Sequence, residues 1–264
     1  MSGKKTPKLG QHFLTDETII DEIISFADVS NNDTVLEIGP GKGILTEGLL
    51  KSGAKVIAVE KDHELFGFLR KKYRNNDNFA VYQGDIRDFD YKILPKGYKI
   101  VANIPYYLTG QLISQLTESS NKPKEAVLMI QKEVAERLTA PKGESSLLQL
   151  STEVFAKVER GRVVTRDKFN PPPKVDSALI KLIFASKSAL NKEEQKVFFR
   201  FLKFAFAGKR KKLLNTLPGA LKIDKNELLK VLSELNLSEN SRPQELDLKQ
   251  WITLYKFLLS RGIL

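Results

Sequence analysis

The sequence predicts an α/β protein: a mainly parallel sheet covered by helices on both faces, followed by a small all-α domain. Three observations carry this reading. Short apolar runs alternate with stretches of helical spacing over roughly the first two-thirds of the 264 residues. That order demands crossover connections and a sheet buried on both faces. A glycine cluster, Gly39, Gly41 and Gly43, separates the first apolar run from the helix after it. Beyond about residue 186 the strand pattern stops and only helical spacing continues. The expected division is therefore 1–186 for the sheet domain and 187–264 for the helical one.

Taken in order, Asp16 suits the N-cap of a helix whose apolar positions are Ile19, Ile20, Ile23, Ile24 and Ala27. Residues 34–38 form the first strand and 44–50 resume helical spacing. The run KVIAV, residues 55–59, is the second strand, closed by Glu60, and a charged helix reaches about Tyr73. Residues 79–82 and 99–102 are the third and fourth strands, and a helix near 108–116 leads to the fifth, 126–130. Helical stretches follow near 133–138 and 147–156. Two β-rich segments, 157–165 and 178–184, flank a proline-rich loop and suit an antiparallel hairpin at one edge. Asn191 precedes a helix with five phenylalanines, Phe198, Phe199, Phe201, Phe204 and Phe206, whose spacing suits a domain core. Helical runs near 209–217, 225–235 and 248–258 complete the chain, with Trp251 expected to pack the last.

Composition excludes several chemistries. There are no cysteines, which removes disulfides, thiolate zinc sites and a cysteine nucleophile. His12 and His63 are the only histidines, so no metal site is expected. No apolar run approaches the ~18–20 residues that span a bilayer. The basic N-terminal stretch lacks the apolar segment of a secretory leader, so a cytoplasmic protein is expected. The net charge is +11, and residues 186–264 hold 16 Lys and Arg against 8 Asp and Glu. Such an uneven basic region suits a polyanionic partner, nucleic acid ahead of a membrane surface.

The loop after the first strand reads Glu37-Ile38-Gly39-Pro40-Gly41-Lys42-Gly43. A dinucleotide fingerprint needs glycine where Ile44 stands, and a phosphate-binding Walker loop needs it where Leu36 stands. The spacing is instead acid-x-G-x-G-x-G. Glu60, at the tip of the second strand, can accept both hydroxyls of a ribose. Asp85 ends the third strand, where its carboxylate can accept from the exocyclic amine of an adenine. Gly39 and Gly41 leave room for a zwitterionic amino-acid portion. Together these describe a pocket for S-adenosylmethionine.

The fourth strand ends in Asn103-Ile104-Pro105-Tyr106. The carboxyl ends of strands are where open α/β sheets hold their ligands. The N6 amine of adenine is a poor nucleophile because its lone pair is delocalised into the ring. The Asn103 side-chain oxygen and a nearby main-chain carbonyl, that of Ile104, can accept its two hydrogens and turn the lone pair toward a methyl donor. Pro105 stiffens the turn and Tyr106 can stack on the base. Asn103 is assigned to both the catalytic and the cofactor-binding sets. Methylation at C5 of a pyrimidine normally needs a cysteine, so its absence agrees with an amine target.

In this order of motifs the chain resembles the KsgA/Dim family of ribosomal RNA adenine dimethyltransferases, related to the Erm methyltransferases. Gly10-Gln11-His12-Phe13-Leu14 is similar to that family's N-terminal motif, and the resemblance implies that His12 and Leu14 line the cofactor site. The segment from Phe169 through Pro171-Pro172-Pro173 to Val175-Asp176-Ser177 is similar to its F-x-P-x-P-x-V-D-S element, which implies that Phe169 covers the other face of the target adenine. The implied fold is a seven-stranded, Rossmann-like class I methyltransferase sheet, its last strand antiparallel, with a small helical domain. The implied activity is dimethylation of the N6 amines of two adjacent adenines near the 3′ end of 16S ribosomal RNA, in the small subunit or its precursor, by a monomer. Two other readings share these residues: an Erm-type enzyme acting on large-subunit RNA, and a ribosome-assembly or transcription factor without turnover. The second place of Asn-Ile-Pro-Tyr is Leu in many small-subunit enzymes, and the basic turn Lys209-Arg210-Lys211-Lys212 stands where the family more often has Gln-Arg-Arg-Lys.

That basic turn is assigned to RNA phosphates. Lys196, Arg200 and Lys203, spaced for one helix face, extend the same surface.

Overall fold

The computed structural model describes residues 12–264, so Gly10 and Gln11 of the N-terminal motif lie outside the described residues. The chain forms two compact units, one running to Ala135 and resuming over Val158–Phe184, the other comprising Glu136–Lys157 and Ala185–Leu264. The division is not the single cut expected after residue 186. Leu150, Val154 and Phe155 pack in the same core as Phe198, Phe201 and Trp251, which draws the segment before β7 into the second unit.

The first unit begins with β1 (Phe13–Leu14), α1 (Glu17–Phe26), β2 (Thr34–Ile38), α2 (Ile44–Lys51), β3 (Lys55–Glu60), α3 (His63–Lys72) and β4 (Phe79–Gln83). It continues with β5 (Lys99–Asn103), α4 (Thr109–Glu118), β6 (Glu125–Gln131) and α5 (Lys132–Leu138), the last ending in the second unit. After α6 (Leu147–Glu153) come β7 (Ala156–Val164), β8 (Phe169–Asn170) and β9 (Ser177–Phe184). Seven strands form one sheet in the order β4-β3-β2-β5-β6-β9-β7. The strands from β4 to β6 pair in parallel, and β9, the last strand in sequence, runs antiparallel to β6. This is the expected α/β fold. Asp16 caps α1 as its position predicts, accepting from the Thr18 amide at 3.0 Å.

The strand order reverses between β2 and β5, so the crevice for a ligand falls there. Pairing of these two strands covers only Val35–Leu36 against Lys99–Ile100. Beyond it their carboxyl ends carry the glycine loop and the Asn103 turn.

A second, two-stranded sheet was not visible in the sequence. Phe13 pairs with Asn170 and Leu14 with Phe169, antiparallel. Thr15 extends the join by donating its amide to the Lys168 carbonyl at 3.0 Å, and Lys168 pairs with Asp16 at 2.6 Å. Strands of two residues are too short to show an alternation, and the partners are far apart in sequence.

At the opposite ends of the strands, Lys99 is 2% exposed. Its ammonium reaches the carboxylates of Glu125 at 2.9 Å and Asp33 at 3.3 Å and donates to the Ala27 carbonyl at 3.0 Å. A buried ion pair that loses one partner leaves an uncompensated charge, at a cost of about 3–5 kcal/mol. Lys99→Ala should therefore destabilise the protein by that amount in denaturant unfolding, with cofactor affinity of the folded variant unchanged. A change under 1 kcal/mol would mean that water satisfies Glu125 equally well.

In the second unit, α7 (Lys192–Phe206) opens with a reciprocal cap between Asn191 and Glu194. It is followed by α8 (Leu213–Leu221), α9 (Lys225–Glu234) and α10 (Leu248–Ser260). Phe198, Phe201 and Trp251 are fully buried, as their spacing predicts. The helix expected from residue 209 starts only at Leu213, with Lys212 as its N-cap. Four consecutive cations are unfavourable in a first helical turn, where the helix dipole is positive, so Lys209–Lys212 instead form the turn between two helices.

Candidate active site

The carboxyl ends of β2, β3 and β5 open onto a cavity of about 340 Å³, within the usual range for small-molecule sites, ~300–1,000 Å³. His12, Leu14, Gly39, Gly41, Glu60, Asp85, Asn103, Ile104, Pro105, Tyr106 and Phe169 all line it. Every residue that the sequence assigned to cofactor or base is thus in one place. Lys209, Arg210, Lys211 and Lys212 belong to the second unit and do not line it.

The glycine loop is shaped by backbone conformation. Gly39, Gly41 and Gly43 have φ of 63°, 60° and 78°, the left-handed region open chiefly to glycine. At Gly39 a Cβ would point into open space. At Gly41 it would meet the Phe13 ring at 2.8 Å, so that aromatic from β1 forms the loop's lid. Phe13 received no role from the sequence, although it stands between two residues that did.

Glu60 is 4% exposed. Its carboxylate accepts from the Gly41 amide at 3.1 Å and the Asp62 amide at 2.8 Å. Burial raises its pKa, and these amides oppose the rise. Two backbone donors leave unused lone pairs on a carboxylate with about four acceptor sites, which is the chemistry a ribose diol requires.

Asp85 is differently placed from its expected role. The Arg87 guanidinium grips both its oxygens, at 2.9 and 2.6 Å, the Arg87 amide adds a bond at 3.0 Å, and Lys61 reaches it at 2.9 Å. Arg87 chiefly holds its pKa well below the usual carboxylate range. An adenine amine must displace or share one of these donors.

At the end of β5 the Asn103 amide nitrogen donates to the His12 carbonyl at 3.3 Å. That bond fixes the flip of the amide and turns its oxygen into the acceptor available to a ligand. The His12 ring in turn donates to the Pro171 carbonyl at 2.7 Å and lies over Tyr106, centroids 6.2 Å apart. Tyr106 is half-buried, its hydroxyl 2.8 Å from Ser177 Oγ. Phe169 lines the cavity but is 4% exposed and belongs to the core with Leu14 and Leu179, so it is a wall rather than a free cover.

Glu37, like Phe13, lines the cavity without a role of its own in the sequence reading. It is 1% exposed, accepts from the Thr46 hydroxyl at 2.6 Å, and burial pushes its pKa up to about 8. A carboxyl that keeps its proton on folding stabilises the fold fully below its ordinary pKa near 4.5. The contribution is then lost as pH rises to about 8, by at most ~1.4 kcal/mol per pH unit. Glu37→Gln should flatten that fall, because the amide accepts from Thr46 without titrating. Unfolding midpoints from pH 5 to 9 with equal slopes in both proteins would contradict it.

Residues 2–259 match the family model described as ribosomal RNA adenine dimethylase. The chain belongs to this family. It is 36% identical, over 99% of its own length and 100% of the relative's, to "Ribosomal RNA small subunit methyltransferase A" of Fusobacterium nucleatum subsp. nucleatum. Among solved structures, a dimethyladenosine transferase from Plasmodium falciparum superposes with a TM-score of 0.80 at 34% identity, covering 95% of this chain and 98% of that one. The 23S rRNA methyltransferase ErmE gives 0.78 at 26% identity, covering 93% and 99%. Family membership agrees with the dimethylase motifs: the acid-flanked glycine loop and the Asn103–Tyr106 turn face one cavity in this adenine dimethylase. Among the described residues no cluster of three or more His, Asp or Glu that could hold a metal occurs, and no helix is long and apolar enough to cross a membrane.

Proposed function

We propose that this chain dimethylates the N6 amines of two adjacent adenines near the 3′ end of 16S ribosomal RNA, in the small ribosomal subunit or its precursor, using S-adenosylmethionine. The observation that carries the reading is the convergence of the Glu60 carboxylate and the Asn103 amide oxygen on one cavity. Glu60 holds the ribose hydroxyls, the open space at Gly39 admits the amino-acid portion, and Asp85 faces the adenine end. When bound, the cofactor supplies a methyl group on a sulfonium sulfur, activated for transfer to nitrogen. Asn103 and the Ile104 carbonyl accept the two N6 hydrogens in the first transfer, and one of them accepts the single remaining hydrogen in the second. Both aim the lone pair, an effect of alignment rather than of strong base catalysis, and the proton displaced by each methyl group passes to solvent. Tyr106 stacks on the target base, with the Ser177 hydroxyl and the His12 ring holding its own ring in place. On this reading the chain is a monomer working on ribosomal particles in the cytoplasm.

The names of the small-subunit relatives favour 16S RNA over the large-subunit target named for ErmE. Mass spectrometry of 3′-terminal 16S fragments, after incubating undermethylated 30S particles with protein and cofactor, should find dimethyladenosine at two adjacent positions. Modification of naked 23S RNA alone would transfer the reading to the Erm type. No transfer to either RNA would favour the assembly factor.

A further inference from the structure

The exposed face of α7 carries an unusual combination. Phe198 and Phe201 are buried, and Phe199 and Phe206 pack against the core from its margin. Phe204 does neither and is 51% exposed. At 100° per residue, Lys196, Arg200, Lys203 and Phe204 fall within an arc of about 100° on one side of the helix, and all are exposed. The chain then enters the exposed turn Lys209–Lys212. Lys196 is paired with Glu193 at 3.1 Å and Lys212 donates to Asn240 at 2.5 Å. Among the described residues, no ion pair holds Arg200, Lys203, Lys209, Arg210 or Lys211. The face thus presents a single bare aromatic ring among cations of which Lys196 and Lys212 alone are held by a neighbour.

Phosphates alone would need only the cations, since counterion release is indifferent to an aromatic ring. A membrane surface would need a broad apolar face, whereas the apolar residues of α7 other than Phe204 point into the core or its margin. A ring flanked by guanidinium and ammonium groups suits a nucleotide whose base is unstacked and free to lie on it. We propose that this face docks an unpaired nucleotide of the RNA partner, its base stacked on Phe204 and the adjoining phosphates held by Arg200, Lys203 and the following turn. The proposal rests on the reading that the partner is RNA. It goes beyond that reading by specifying a single-stranded or looped segment at a surface separate from the cavity lining.

The test is fluorescence anisotropy with the full chain, using a ten-nucleotide single-stranded RNA and a duplex of equal length over a range of salt. Phe204→Ala should weaken single-strand binding about 5- to 100-fold, leave duplex binding and the salt slope unchanged, and Phe204→Trp should restore affinity. Replacing Arg200 and Lys203 together by Gln should reduce the single-strand salt slope by about 1.4, at ~0.7 per phosphate contact. Wild-type single-strand affinity in Phe204→Ala overturns the proposal, as does an equal loss on both RNAs, an absence of RNA binding by the wild type, or a loss confined to anionic lipid vesicles. Methyl transfer is scored separately on 30S particles. RNA binding without transfer would defeat the enzymatic reading and leave this one standing. Transfer with Phe204-independent binding would do the reverse.

Discussion

Asn103→Ala should lower methyl transfer to 30S particles by about 10²–10³-fold while changing S-adenosylmethionine affinity by less than about tenfold. The size follows from removing one preorganised hydrogen-bonding group at a reacting centre. The asymmetry follows from geometry. The Asn103 amide is anchored through its nitrogen, at the His12 carbonyl, so its oxygen addresses the incoming base. Glu60 and the glycine loop, which carry the ribose and amino-acid contacts, are bonded to each other through the Gly41 amide, so removing Asn103 costs only its own share of the cofactor site. Single-turnover transfer and calorimetry on the same preparation separate the two effects. Near-wild-type transfer in a folded variant would remove the basis for the N6 mechanism.

Glu60→Ala should weaken S-adenosylmethionine by about 10²-fold. Hydrogen bonds to a charged acceptor each contribute about 1.5–3 kcal/mol, and the assigned role involves two ribose hydroxyls. The substitution also strips the acceptor from the Gly41 and Asp62 amides, so the loop that receives the amino-acid portion loses its brace. RNA affinity should be nearly unaffected, because the basic face on α7 and its following turn belongs to the other unit. Unchanged cofactor affinity in a folded variant would exclude Glu60 from the pocket.

Much of the site was legible because it is written locally. Strand, glycine turn and helix follow one another within residues 34–51, and the side chains at strand tips must point to one end of a parallel sheet. Hence Glu60, Asp85 and Asn103 could be placed together from periodicity and register alone, and all line one cavity. The saturation of Asp85 was not legible. It depends on where the flexible side chains of Lys61 and Arg87 come to rest, and their positions carry no periodic signal. Glu37 was visible as a member of the loop motif. Its raised pKa was not, since that reflects burial by the whole sheet rather than neighbours in sequence.

The α/β class, the seven strands of the main sheet, the basic helical region and the order of the motifs can all be read along the chain. Each is a consequence of hydrophobic period, turn chemistry or charge within short windows. Tertiary structure alone decided that β1 is stapled to β8, which brings His12, Phe13 and Phe169 to the cavity. It also decided that Glu136–Lys157 packs with the helical unit and that, of five phenylalanines in one helix, only Phe204 is left bare. Such outcomes turn on which distant surfaces meet. Apolar burial rewards any well-packed partner regardless of its separation along the chain, so no local pattern encodes the choice.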